Sequence, residues 1–458
     1  MFKKLFAPTD MTVGTPWKSI LAFTLPMLLG NIAQQLYSTV DTIVVGKYIG
    51  DNALSAVGST LPILNMLLVL FIGISAGATI MVSQYFGARN REGLSYTIGN
   101  CITVTALCCV VLVAIMLPLI RPVLVMLNTP ASILDDCTGY LQISLIGIAG
   151  MGYYNILSGI IRGMGDSVSA LLYLLVATII NIVLDSFFVA KCNMGVPGVA
   201  LATIIAQLIS AACCMFKLTR MKENFDLSFK HLKPIGSYTK TVIKLGLPSG
   251  LTQAIFSSAM IIVQSLTNCF GEQFIAANVV VMRVDGFAMM PNFSFGTALT
   301  TYAGQNVGAG QYDRVTKGAK QGTLMAVGTS AIITGIILLL GKPLMHIFTD
   351  TLELVELSYN LMMILAVGYI AVAVTQSLSG IMRGAGDTMT PMWISLFTTI
   401  ALRIPIAYGI SFLTRTAELP YGQKECIQIS LLLSWVLGAV LTALFYRMGK
   451  WKTRAIKQ

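Results

Sequence analysis

The residues best suited to chemistry are oxygen-bearing side chains set in apolar surroundings. Asn31, Gln34, Ser38 and Asp41 follow one another at steps of three and four, which places them on one helix face with Tyr37 beside them. Asn181 and Asp185 lie four apart on a second face, and Thr203 falls in a third apolar run. Two carboxylates, an amide oxygen and a hydroxyl are the ligand set a hard cation prefers, and two carboxylates forced together favour proton retention by one of them. Asp41, Asn181, Asp185 and Thr203 are therefore expected to form a cation site, for H⁺ or for Na⁺. The plainer reading, hydrogen bonding in helix packing alone, is outweighed by the cost of an intramembrane carboxylate. A second polar face carries Asn278, Met282, Asp285, Met289 and Asn292, and a neighbouring run carries Gln253, Ser257, Met260 and Gln264 in similar register. Asp285 and Arg403 fall at matching depths. They are expected either to form a structural ion pair or to leave Asp285 for substrate.

Elements that position such groups must be membrane helices. The 458 residues are 55% hydrophobic and only 11% charged, with a mean hydropathy of +0.79, where soluble domains carry roughly 25% charge. This composition argues against a soluble enzyme and excludes disorder. About twelve apolar runs are long enough to span a bilayer, at about 17–44, 52–85, 95–118, 138–161, 168–190, 196–218, 240–268, 274–305, 318–341, 354–381, 390–413 and 427–447. At 1.5 Å per residue, Asp41, Asp185 and Thr203 all lie roughly 8 to 12 Å from the outer surface. Twenty-two of the 30 basic residues fall in the termini and even-numbered loops, against six on the opposite side. Both termini are therefore expected in the cytoplasm, in the plasma (cell inner) membrane of the cell. The net charge of +11 then faces anionic lipid, and nucleic acid is not expected as a partner. The nine cysteines form no CxxC or Cys/His cluster, so neither a disulfide framework nor a structural metal is expected.

The chain repeats itself. Leu157-Ser-Gly-Ile-Ile-Arg-Gly-Met-Gly-Asp166 returns as Leu378-Ser-Gly-Ile-Met-Arg-Gly-Ala-Gly-Asp387, 221 residues later, and Pro26 meets Pro248 at 222. Six spans per repeat is an even number, so the two repeats enter the membrane in parallel. The expected fold is an all-α integral membrane protein of about twelve transmembrane helices, in two pseudo-symmetric six-helix lobes around a central cavity. The expected boundaries are a cytoplasmic segment 1–16, an N-lobe 17–218, a basic linker 219–239, a C-lobe 240–447 and a basic tail 448–458. Asp41, Asn181 and Asp185 map onto Val263, Leu402 and Ile406. The second repeat lacks the acidic set, which assigns ion coupling to the first.

Gly163-Met-Gly-Asp166 and Gly384-Ala-Gly-Asp387 match the G-x-G-D pattern of intramembrane aspartyl proteases. Each follows an Arg, lies in a short loop and occurs once per repeat, which fits a turn with positive φ at glycine and a helix-starting Asp. No Walker lysine motif, HExxH or nucleophile elbow occurs, so an enzyme is not expected.

Phe23-Thr-Leu-Pro26, Val40-Asp-Thr-Ile-Val-Val-Gly46 with Ile49-Gly50, and the doubled Arg-Gly-x-Gly-Asp turns resemble the multidrug and toxic compound extrusion (MATE) family over essentially the whole chain. The resemblance implies export of small organic, often cationic compounds by alternating access, driven by inward H⁺ or Na⁺ flow, without a cofactor. Asp41, Asn181, Asp185 and Thr203 match the first-lobe site of the archaeal and DNA-damage-inducible-like branch. The seventh span carries no Asp or Glu and the tenth only Glu356, at its very start, so the acidic set of the branch that binds cations on those spans is not matched. Substrate contacts are expected from Gln34, Tyr37 and Asn155 on one side and Gln253, Met260 and Asp285 on the other. The protein is expected to act as a monomer in the bilayer. A lipid-linked oligosaccharide flippase of related architecture is the alternative, although it would want a strongly cationic cavity.

Overall fold

The computed structural model of the chain describes residues 8–48, 51–127 and 129–456, with the side chains at 37–48, 51–56, 58 and 190 outside the described set. The apolar runs become helices because a backbone without access to water must satisfy its polar groups within its own segment. The first repeat contains α1 (Pro16–Tyr48), α2 (Asp51–Gly87), α3 (Arg91–Met126), α4 (Leu134–Ile146), α5 (Ile148–Gly163), α6 (Ser167–Asp185) and α7 (Gly195–Arg220). A short α8 (Phe229–Leu232) precedes the second repeat, which contains α9 (Gly236–Asn268), α10 (Glu272–Gly308), α11 (Tyr312–His346), α12 (Leu352–Ala366), α13 (Gly368–Gly384), α14 (Met389–Leu396), α15 (Arg403–Leu413) and α16 (Cys426–Arg447). Among the described residues ten segments are long and apolar enough to cross a membrane, and two bent helix pairs raise the number to as many as twelve. This agrees with the twelve expected runs.

The two bent pairs are α4 with α5, at 48°, and α12 with α13, at 45°. Gly147 and Gly368, 221 apart, occupy the two bends. A Cβ at Gly147 would run into the Ile204 side chain, and one at Gly368 would come within 2.6 Å of the Trp435 ring. Glycine is thus required for the neighbouring helix to pack into the bend. Two further irregularities flank intramembrane charges. A π-helical turn, Ser186–Lys191, directly follows Asp185, and another, Phe397–Leu402, directly precedes Arg403. Such turns widen the helix and disturb its hydrogen-bond ladder, and they concentrate at functional sites.

Small residues set the closest helix contacts, and they repeat. In the first half Ser75 Oγ donates to the Asn155 carbonyl at 2.7 Å and Thr79 Oγ1 to the Gly159 carbonyl at 3.0 Å, joining α2 to α5. In the second half the equivalent α10 and α13 meet at Gly296, Thr300, Gly380 and Gly384, where an added Cβ on Gly380 or Gly384 would strike backbone carbonyl oxygens. Gly159 with Gly163 and Gly380 with Gly384 are small-xxx-small pairs, which let two backbones approach where lipid offers no hydrophobic drive for association.

Contacts divide the chain into two units. One contains Leu25–Gly250 with the described residues before Met11, and the other contains Met11–Thr24 with Leu251–Lys457. These limits differ from the expected lobes in a specific way: the lead-in to the first span belongs to the second unit, and the linker with the start of α9 belongs to the first. Hydrogen bonds account for both. The Arg314 guanidinium donates to the carbonyls of Met11, Val13 and Gly14 at 2.7 to 3.2 Å, and the Met11 N–H donates to Gln305 Oε1 at 2.8 Å. In the first unit, Asn100 Oδ1 accepts from the Ile235 N–H at 2.7 Å, and Gly73 and Gly77 lie against the backbone of α9 around Val242 and Gly246. The limits fall beside Pro26 and Pro248, the repeat-related prolines inside α1 and α9.

Candidate functional site

The first unit brings Asn181, Asp185 and Thr203 together. Asn181 and Asp185 stand one turn apart on α6, each only 1% exposed, and Thr203 comes from α7, which packs against α6. The hydrogen-bond network fixes the orientation of the Asn181 amide: with its nitrogen donating to Asp185 Oδ2 at 2.9 Å, its oxygen accepts from the Thr203 N–H at 3.3 Å. The same side chain lies 3.4 Å from Thr203 Oγ1. A carboxylate is thereby tied through an amide to a neighbouring helix, so its protonation or ligation is felt by both α6 and α7. Asp185 ends the α-helical part of its span, with the π turn beginning at the next residue. The side chains of Asp41 and Tyr37 lie outside the described residues. Among the described residues no group of three or more His, Cys, Asp or Glu could hold a metal ion.

The expected substrate residues are in mixed surroundings. Gln34, on α1, is exposed in the first unit. Asn155 is half-buried and its amide nitrogen donates to the Met151 carbonyl at 2.8 Å within its own helix. In the second unit Gln253 and Met260 are exposed on α9, Met260 at 47%.

Asp285 makes a hydrogen bond that neither expectation included. Its Oδ1 accepts from Tyr369 Oη at 2.9 Å. Among the described residues no ion pair within 4.0 Å joins it to Arg403, whose buried Nε has no hydrogen-bond partner. The expected direct Asp285 to Arg403 pair is thus replaced by a phenol hydrogen bond. The reason lies in the bend at Gly368, which brings the next residue, Tyr369, onto α10, where its ring also lies 5.8 Å from that of Trp435. The rest of this polar face is occupied within the unit as well: Gln428 Nε2 donates to Asn278 Oδ1 at 2.9 Å, and Ser330 Oγ donates to Asn292 Oδ1 at 2.8 Å. Tyr369 and Gln428 were missed by the sequence reading. The glycine shared by the two bends was the one available pointer to Tyr369, and Gln428, a lone amide in an apolar run, carried none.

The G-x-G-D segments are turns. Gly165 and Gly386 have φ of +88° and +97°. Asp166 caps α6, accepting from the Ser169 N–H at 2.9 Å and Ser169 Oγ at 2.6 Å, and Lys217 Nζ approaches it to 3.4 Å. Asp387 accepts from Thr390 Oγ1 at 2.8 Å and the Thr390 N–H at 3.2 Å. Both aspartates are committed to helix starts.

Comparison with known proteins gives one consistent result. The MatE family model matches residues 26–187 and 248–409, two blocks whose separation reproduces the internal repeat. The chain is similar to "Probable multidrug resistance protein YoeA" of Bacillus subtilis (strain 168), 29% identical over 91% of this chain and 92% of that one. It is also similar to "Probable multidrug resistance protein NorM" of Thermotoga maritima, 26% identical over 96% and 94%. Among solved structures, a MATE in complex with MaL6 superposes with a TM-score of 0.89 at 23% identity, covering 96% of this chain and 97% of that one. An outward-facing MATE of the MOP superfamily gives 0.89 at 22%, with the same coverage.

Proposed function

Because the chain belongs to the MatE family, whose members are membrane transporters and not enzymes, we propose that it exports small organic compounds, in particular cations, in exchange for inward H⁺ or Na⁺. The relatives named as multidrug resistance proteins support drug efflux. The observation that carries ion coupling is the buried network of Asn181, Asp185 and Thr203. A carboxylate 1% exposed within an apolar span is costly to maintain in its charged form, so its retention favours a working role over packing alone. In this reading Asp41 completes the site from α1, and the four oxygens hold either a proton or Na⁺, as in the archaeal and DNA-damage-inducible-like branch. Gln34, Tyr37 and Asn155 contact substrate from the first unit, and Gln253, Met260 and Asp285 from the second. Ion binding and drug binding discourage one another, and antiport by alternating access follows. Both termini lie in the cytoplasm, where the basic residues concentrate, and the protein acts as a monomer in the plasma membrane. No observation favours the flippase.

Ethidium efflux from loaded cells tests the proposal. Asp41→Asn and Asp185→Asn are each expected to reduce efflux to the level of cells without the protein, at unchanged expression. Efflux at the unsubstituted rate in both variants would overturn the coupling role.

A further inference from the structure

The segment between α7 and α9, with three lysines and Pro234 among its fifteen residues, is clamped to α3. Arg91 holds it with a bidentate pair to Asp226 at 2.9 and 3.0 Å, and donates to the carbonyls of Lys222 and Glu223 at 2.7 and 3.2 Å. Ser95 Oγ accepts from the Asp226 N–H at 2.9 Å, and Thr103 Oγ1 donates to the Leu232 carbonyl at 2.6 Å. A Cβ on Gly99 would collide with the His231 carbonyl, so the backbones touch. Met221 and Phe225 are buried by this docking. The hydrogen bonds from Arg91 hold the Asp226 carboxyl below its usual range. A depressed carboxylate favours the docked form above its ordinary pKa and loses that contribution only as pH falls, so the clamp persists near neutrality.

Phe229 breaks the pattern. It is 93% exposed on a segment whose other large apolar residues are buried (Met221 and Phe225) or half-buried (Leu227, Leu232 and Ile235). On either side of it in sequence lie the exposed side chains of Arg220, Lys222, Lys230, Lys233 and Lys240. Residues 220–240 carry five Lys or Arg against two acids, Asp226, which is paired with Arg91, and the exposed Glu223, so positive charge remains in excess. The segment connects the ends of two membrane spans, Gly195–Arg220 and Gly236–Asn268, which places it at the bilayer edge. An exposed aromatic flanked in sequence by exposed lysines at that level matches the headgroup region, where the ring enters the interface and the ammonium groups meet phosphate. We propose that the 221–235 segment is a rigid docking surface for anionic phospholipid headgroups, with Phe229 as its wedge and Lys222, Lys230 and Lys233 as its phosphate contacts. Rigidity matters, since a segment already held by Arg91, Asn100 and Thr103 loses little further freedom on binding.

Hydrogen exchange on the full-length protein in nanodiscs tests this independently of transport. Amides 226–235 are expected to become more protected when phosphatidylglycerol is added to phosphatidylcholine. Lys222→Gln, Lys230→Gln and Lys233→Gln together should raise the anionic lipid needed for half-maximal protection, by about fivefold per lysine. Phe229→Ala should weaken the response while leaving the lysines in place. All these side chains are solvent-exposed, so the variants should fold, and unchanged exchange in α3 checks this. Equal protection with and without anionic lipid would overturn the proposal, as would variants that respond like the unsubstituted protein. Either result is expected if the surface instead awaits an acidic protein.

Discussion

Asn181 shows how much a single side chain can arrange. Its amide spans the distance between a carboxylate on its own helix and the backbone of the next, linking Asp185 to α7 through two hydrogen bonds. In the second unit the equivalent positions are Leu402 and Ile406, and the polar work has moved to Asp285 and Tyr369. A double-mutant cycle separates the contacts of Asp285. Coupling between Asp285→Asn and Tyr369→Phe should be about 1.5–3 kcal/mol in unfolding experiments in detergent, the usual range for a hydrogen bond to a charged group. Coupling between Asp285→Asn and Arg403→Gln should be smaller, and a charge swap of the two should not restore stability. A larger Arg403 term would restore the direct ion pair. Helical spacing alone made Asn181 and Asp185 legible, because residues four apart share a face in any straight helix. It could not reveal Tyr369, whose reach to Asp285 depends on a 45° bend between two helices.

Helix ends, bends and close crossings repeat with the sequence. The spans could be read because a bilayer demands long apolar runs, and the G-x-G-D turns because positive φ restricts the residue type. The π turns beside Asp185 and Arg403 have no comparable signature and were not foreseen. Glycine contacts give this scale its test. Gly384→Ala would push a methyl group into the Thr300 carbonyl and to 2.8 Å from the Ala303 Cβ, neither of which can swing away. It should destabilise the protein by about 1–3 kcal/mol. Gly286→Ala, with nothing within 4 Å of the new carbon, should be neutral or stabilising by up to about 1 kcal/mol, through helix propensity. Comparable melting of the two variants would contradict a structural role for the α10 to α13 crossing.

At the level of the whole chain, the 221-residue repeat and the span count were legible: the two family-matched blocks reproduce the repeat, and the described residues contain up to twelve spans. The unit limits were not legible: within the second unit Arg314 holds the carbonyls of Met11, Val13 and Gly14, and within the first Asn100 holds Ile235, so the contact units follow these polar bonds. Duplication supplied two similar units, and the acidic set of the first marks the difference between them. The central claim is that ion binding at Asp185 drives export. Ethidium transport by the purified protein in proteoliposomes, under a Na⁺ gradient or a pH gradient imposed separately, tests it most directly. At least one gradient should drive transport by the unsubstituted protein, and neither should drive it in Asp185→Asn. Equal gradient-driven transport by the Asp185→Asn variant would contradict the account.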